Sequence, residues 1–175
     1  EFAKGFGKPL AAASDEDWIK WQREAIGDIV RRTAEGVRKV RPKAVMSAAV
    51  FSSLAGGATQ GQDPAGWTRQ GWIDLVLPMD YQMQTLQVRA HERQFLNALG
   101  NDDQLVTGLS LYMRSGQKAL SRPGELVREQ IELVRRMGIH GYCLFAYSHL
   151  SDEQLQAIQK LNQEPATPYY RQRQR

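Results

Sequence analysis

An aspartate and a tyrosine directly follow the most apolar strand candidate of this sequence. Five apolar residues fall within seven positions, a pattern typical of a strand buried on both faces: Ile73, Leu75, Val76, Leu77 and Met79. Asp80 and Tyr81 stand where that strand emerges, and in barrels of parallel strands the carboxyl ends of the strands carry the active site. A carboxylate at such a place is costly to bury unless it is bonded. Asp80 is therefore the candidate catalytic residue, and Arg114 is the nearest candidate to hold its charge.

Further aromatic and polar residues follow the other predicted strands and complete a candidate substrate site. This set is Phe51, Ser52 and Ser53 from the first strand, Tyr81 from the second, Tyr112 and Arg114 from the third, and Tyr147, Ser148 and His149 from the fourth. Flat rings cover the apolar faces of a pyranose while hydroxyl and guanidinium groups bond its rim, so the set favours a sugar cleft. The alternative to a sugar-binding role is that the tyrosines only pack against the fold and that Arg114 is solvated.

The sequence shows few other residues that could bind a metal or a cofactor or serve as a second catalytic acid. His91 has no histidine or cysteine at metal-ligand spacing, and no glycine-rich phosphate loop joins a strand to a helix, so neither a metal nor a cofactor is expected. Glycoside hydrolysis normally uses two carboxyl groups, and Asp80 is the one strand-end carboxylate that the sequence shows. Whether the chain is catalytic stays open; in a glycosidase, the second acid would lie in another segment.

Helix and strand candidates alternate along the chain. The strands are predicted at 44–51, 73–80, 105–112 and 140–147, and the main helices at 15–40, 85–99, 125–137 and 152–161, with a loop at 52–61 and a short helix from Asp63 through Trp67. Such alternation favours parallel strands with helical crossovers. A (β/α)8 TIM barrel uses about 31 residues per unit, so residues 1–163 are predicted to form about half of one. A four- or five-stranded doubly wound sheet is the competing architecture.

Composition sets limits on the partners. The formal net charge of +4 depends on Arg171, Arg173 and Arg175 in a polar tail, residues 164–175, which is predicted to be disordered. Without that tail the charge is nearly balanced, and nucleic acid is not an expected partner. The only cysteine, Cys143, stands in an apolar run and is expected to be a small buried apolar residue. No apolar stretch reaches the roughly 20 residues that span a membrane.

Several ordered segments resemble glycosyl-hydrolase-like family 10, a family of bacterial envelope and secreted proteins. They are Trp21-Gln22-Arg23-Glu24, Gln62-Asp63 followed by Trp67, Gly71-Trp72-Ile73-Asp74, Pro78-Met79-Asp80-Tyr81, and Gly141-Tyr142 through Phe145-Ala146-Tyr147-Ser148. The likeness covers about residues 17–162. Met79 and Tyr81 are also similar to the Met-x-Tyr pattern of family 18 chitinases, where the tyrosine faces the substrate. The acidic strand motif of those chitinases is absent from this sequence.

The resemblance implies the C-terminal half of a TIM barrel that hydrolyses or binds a polysaccharide or oligosaccharide outside the cytoplasm. The start at Glu1 also suggests a piece of a longer protein. A non-catalytic carbohydrate-binding or structural domain on a decayed barrel is the alternative. Because a half-barrel has two open strand edges, a homodimer through those edges is a further expectation.

Overall fold

The computed structural model of the chain describes residues 4, 5, 7, 9–139 and 141–161, and it is an α/β fold with a four-stranded parallel sheet. The helices are α1 (Asp15–Val40), α2 (Leu54–Thr59), α3 (Pro64–Arg69), α4 (Thr85–Leu99), α5 (Gly124–Arg136) and α6 (Asp152–Leu161). The strands are β1 (Ser47–Phe51), β2 (Leu75–Met79), β3 (Val106–Ser110), β4 (Tyr112–Ser115), β5 (Lys118–Ser121) and β6 (Gly141–Phe145). None of the described helices is both long enough and apolar enough to cross a membrane.

The long helix α1 begins and ends where the sequence predicts. Ser14 and Asp17 form a capping box, in which each side chain accepts a hydrogen bond from the backbone N–H of the other residue. Acidic residues in the first turn and Arg38 and Lys39 in the last turn suit the helix dipole. The predicted bounds of α4 are confirmed as well, and α4 ends at Gly100, which adopts φ 66°.

The sheet order is β1-β2-β3-β6, with every pair parallel, so the four predicted parallel strands lie side by side in chain order. Residues at one level of the sheet are Phe51, Met79, Gly108 and Cys143. Their side chains share one face, because register partners in parallel strands point the same way. Within the described part of the chain, β1 and β6 each have one neighbour and therefore form the two edges.

The two faces of this sheet are covered differently. Val50, Val76 and Leu109 point to the helices and are buried in two apolar clusters with residues of the helices. The opposite face, here called the open face, carries exposed side chains on both edge strands: Ser47, Ala49, Phe51, Cys143 and Phe145. The predicted burial of Cys143 is wrong, because its side chain lies on this face. The core of the described fold therefore lies on one side of the sheet.

Two predicted boundaries are wrong for local reasons. The predicted loop 52–61 contains α2, because Ser53 caps it by accepting a hydrogen bond from the N–H of Gly56. The third strand stops at Ser110, whose hydroxyl bonds both the N–H and the carbonyl of Tyr112. The chain then continues into the β4–β5 hairpin, which turns at Gly116 with φ 60°.

The end of the fourth strand also differs from its prediction. β6 stops at Phe145, and the segment Tyr147–His149 is a 3₁₀ helix. The Phe145–Ala146 peptide bond at this end is cis. The predicted disordered tail 164–175 lies outside the described residues.

Candidate functional site

Four rings from three chain segments stand together at the carboxyl edge of the sheet. Tyr81 stacks on Phe145 with ring centroids 5.5 Å apart and an interplanar angle of 10°. Phe145 lies 6.3 Å from Tyr112, and Tyr112 lies 4.3 Å from His149. We call these four residues the aromatic row. Tyr81 is 36% exposed and Phe145 46% exposed, so the row offers ring surface to a ligand.

The structure brings two of the predicted substrate-binding tyrosines together in the aromatic row. Tyr81 and Tyr112 belong to the aromatic row, and Met79 lies at the end of β2 just before Tyr81. Arg114 is exposed on the hairpin. Tyr147 is 88% exposed, and Ser148 follows it in the 3₁₀ helix.

Phe145 was not among the predicted site residues, although it connects the two tyrosines. It ends β6 on the open face, in the same alternation as Cys143. An apolar residue inside an apolar strand gives no sign in the sequence that its ring is exposed. The fold brings the Phe145 ring onto Tyr81, and the sequence pattern does not predict that contact.

Asp80 does not point toward the aromatic row. Its side chain has no exposed surface, and its Oδ1 forms a hydrogen bond with Nδ1 of His91 on α4 at 3.0 Å. Side chains alternate along a strand, so Asp80 continues the helix-facing side of Val76 and Pro78. Burial raises the pKa of the Asp80 carboxyl, while the His91 hydrogen bond and the nearby charge of Arg122 oppose that rise.

The arginine whose charge acts on Asp80 is Arg122, and the expectation of Arg114 in this role is corrected. Arg122 is 1% exposed, and its Nη1 donates to the Ser110 carbonyl at 2.9 Å. Its Nη2 donates to the Gln82 carbonyl and, at 3.2 Å, to Oε1 of Gln130. The buried position of Arg122 follows β5, where its backbone N–H donates to the Leu111 carbonyl. Arg114 is therefore exposed on the first strand of the hairpin, whereas Arg122, which directly follows the second strand, is buried.

Glu92 is a second buried carboxyl group next to Asp80. Burial, followed by the negative charge of Asp80, raises the pKa of Glu92 to about 8. The Thr107 hydroxyl lies near enough to lower that pKa somewhat, without meeting the geometry of a full hydrogen bond. Glu92 is therefore protonated at neutral pH, because burial disfavours the charged form of its carboxyl.

Six residues form what we call the buried polar cluster: Asp80, His91, Glu92, Thr107, Arg122 and Gln130. Five of their atoms have no hydrogen-bond partner among the described residues, namely Asp80 Oδ2, both carboxyl oxygens of Glu92, Thr107 Oγ1 and Arg122 Nε. Buried polar groups are nearly always bonded, so this concentration of unpaired atoms calls for an explanation. Sequence reasoning found Asp80 and missed the groups around it.

No protein-family model matches this chain, and no curated protein matches it at a significant level. Among the described residues, no group of three His, Cys, Asp or Glu side chains lies together in a way that could hold a metal ion. What the chain does is therefore inferred from the aromatic row and the buried polar cluster.

Proposed function

We propose that this chain is part of a glycoside-hydrolase-like TIM barrel that binds a polysaccharide or oligosaccharide outside the cytoplasm. The observation that carries this proposal is the aromatic row at the carboxyl edge of a parallel sheet. Rings that stand side by side and partly exposed suit the apolar faces of sugar rings, and the carboxyl edge is the functional face of parallel β/α folds.

The sheet supports the barrel part of the proposal. Four sequential parallel strands with helices on one face have the connectivity of half of an eight-stranded barrel. In a closed barrel the other face points inward and both edges are paired. The open face and the edges β1 and β6 are the surfaces on which a second four-stranded unit would complete such a barrel.

The burial of Asp80 favours sugar binding over catalysis by this segment. A carboxyl group that acts as acid, base or nucleophile must reach the scissile bond, and Asp80 faces α4 instead. We propose that Asp80 supports the end of β2 and that the full barrel, where it is catalytic, takes its acid from another segment. A carbohydrate-binding barrel without catalysis is the second candidate, and the same observation favours it.

Removing the rings of the aromatic row tests the proposed sugar site. We expect the chain to be retarded in native gels that contain a soluble glycan, with glycol chitin, xylan and a mixed-linkage β-glucan as probes. Phe145→Ala and Tyr81→Ala should each weaken glycan binding about fivefold, because one lost ring contact is worth roughly 1 kcal/mol. Leu86→Ala, at an exposed apolar position on α4, is the control and should bind like the wild type. Equal binding by all four proteins would remove the row as the site.

Self-association through the open edges is tested by sedimentation velocity. We expect dimers at micromolar concentration, since two copies related by a twofold axis pair β6 of each with β1 of the other and close the sheet. Ala49→Glu puts a charge on the open face and should give monomers. Ala90→Glu adds the same charge at an exposed position of α4 and should leave the dimer intact. A monomeric wild-type chain would contradict this expectation for the 175-residue chain.

A further inference from the structure

The buried polar cluster is joined directly to the segment that carries Tyr81. The carbonyl of Gln82, one residue after Tyr81, accepts hydrogen bonds from Arg122 and, at 2.9 Å, from Nε2 of Gln130. One residue before Tyr81, Asp80 is bonded through its side chain to His91 and through its N–H to the Gly108 carbonyl at 2.8 Å. The backbone on both sides of the Tyr81 ring is thus fixed by buried polar contacts.

Asp80 and Glu92 are a pair of buried carboxyl groups with three unbonded oxygens between them. We propose that residues 80–84 stay closed only while Glu92 holds its proton, and that ionisation of Glu92 releases these residues and displaces Tyr81 from the aromatic row. The inference concerns regulation of the sugar site, and in that respect it rests on the proposed function. The release of residues 80–84 can itself be measured without any sugar.

The charges around the pair explain why one proton matters. The groups that face it are His91 and Glu92 from α4, Thr107 from β3, and Arg122 and Gln130 from the end of the hairpin and from α5. With Glu92 protonated, the negative charge of Asp80 is balanced by the positive charge of Arg122. Ionising Glu92 leaves one uncompensated negative charge beside Asp80 in a site without exposed surface, which is unfavourable unless water enters.

The direction of the pH dependence follows from linkage. While residues 80–84 are closed, the pKa of Glu92 is about 8; once they open and admit water, it returns toward its ordinary value of 4.5. Between these two values the open form binds fewer protons than the closed form. The open fraction therefore rises with pH, by up to tenfold per pH unit for one proton, and becomes constant above about pH 8. The His91 side chain is bonded to Asp80 and is 22% exposed, so the buried polar cluster reaches the protein surface at this residue.

Amide hydrogen exchange of Asp80 and Tyr81 tests the proposal. Both N–H groups are bonded in the closed form, to the carbonyls of Gly108 and Met79. After correction for the intrinsic exchange rate, we expect the wild-type opening constant to rise about tenfold per pH unit between pH 5.5 and 7.5. Glu92→Gln imitates the protonated side chain and should give a small, pH-independent opening constant. Glu129→Gln, an exposed glutamate on α5, is the matched control and should keep the wild-type slope.

Each result has one consequence. A flat wild-type profile, or the same slope in Glu92→Gln as in the wild type, overturns the proposed role of the Glu92 proton. A slope that only Glu92→Gln removes supports it, and retention in glycan gels should then weaken with rising pH in the wild type and not in Glu92→Gln. Absence of glycan binding at every pH overturns the proposed sugar site. The hydrogen-exchange profile tests the pH-dependent opening of residues 80–84 independently of that result.

Discussion

Replacing Glu92 by glutamine is expected to stabilise the protein at neutral pH by about 3 kcal/mol. The pKa of Glu92 is about 8 in the folded chain against 4.5 for an ordinary glutamate, and each unit of difference is worth about 1.4 kcal/mol. Because the folded pKa is the higher one, the wild type has its full stability from this group below pH 4.5 and loses it progressively up to about pH 8. Glutamine keeps the size and the polarity of the protonated side chain and has no proton to lose. Urea denaturation at pH 5, 7 and 8.5 measures the effect.

The difference between the two proteins isolates Glu92 from every other titrating group. It should be near zero at pH 4.5, grow with pH and become constant above pH 8. Glu129→Gln should differ from the wild type by less than about 0.5 kcal/mol at every pH, as surface substitutions do. A pH-independent difference, or a destabilised Glu92→Gln at pH 8.5, would mean that Glu92 is ionised in the folded chain.

The fold could be predicted from local patterns because its long elements carry strong ones. The capping box at Ser14 and the glycine at position 100 fix ends of α1 and α4 within the sequence itself. The apolar run before Asp80 indicates a buried strand whatever its neighbours are. The second strand of the β4–β5 hairpin is only four residues long, and all four are exposed. Such a segment lacks the apolar alternation by which a strand is predicted from sequence.

The sequence predicts where along the chain the site residues lie, but not the directions in which their side chains point. A nearly continuous apolar run hides which face each side chain takes, so Asp80 and Tyr81 were expected to share one cleft. Alternation places them on opposite faces, Tyr81 with the aromatic row and Asp80 with α4. Glu92 lies one turn from Val88 on the buried stripe of α4, but a charged residue in mid-helix is usually solvated, and only the packed structure shows the exception.

The clearest test of the buried polar cluster as a positioning layer is Arg122→Met. Methionine fills a similar volume without charge or donors, so the substitution leaves the Asp80 carboxylate without its balancing cation and the Ser110 carbonyl without its donor. The Ser110 and Gln82 carbonyls each lose a charged donor, and a buried group left unsatisfied costs about 1–3 kcal/mol. The Asp80 carboxylate also loses a nearby positive charge. We expect a loss of that size in urea denaturation at pH 7, together with weaker glycan retention, because the Gln82 carbonyl also loses a donor beside Tyr81.

Arg114→Met makes the same chemical change at an exposed position of the hairpin and should cost less than about 0.5 kcal/mol. Asp80→Asn in the Arg122→Met background removes the stranded charge. If that charge causes the loss, the double variant should be more stable than Arg122→Met alone, a non-additivity that neighbouring groups of one network show. Additive losses at the two positions would instead mean that Arg122 acts through its backbone carbonyl contacts and that the charge of Asp80 is stabilised by His91.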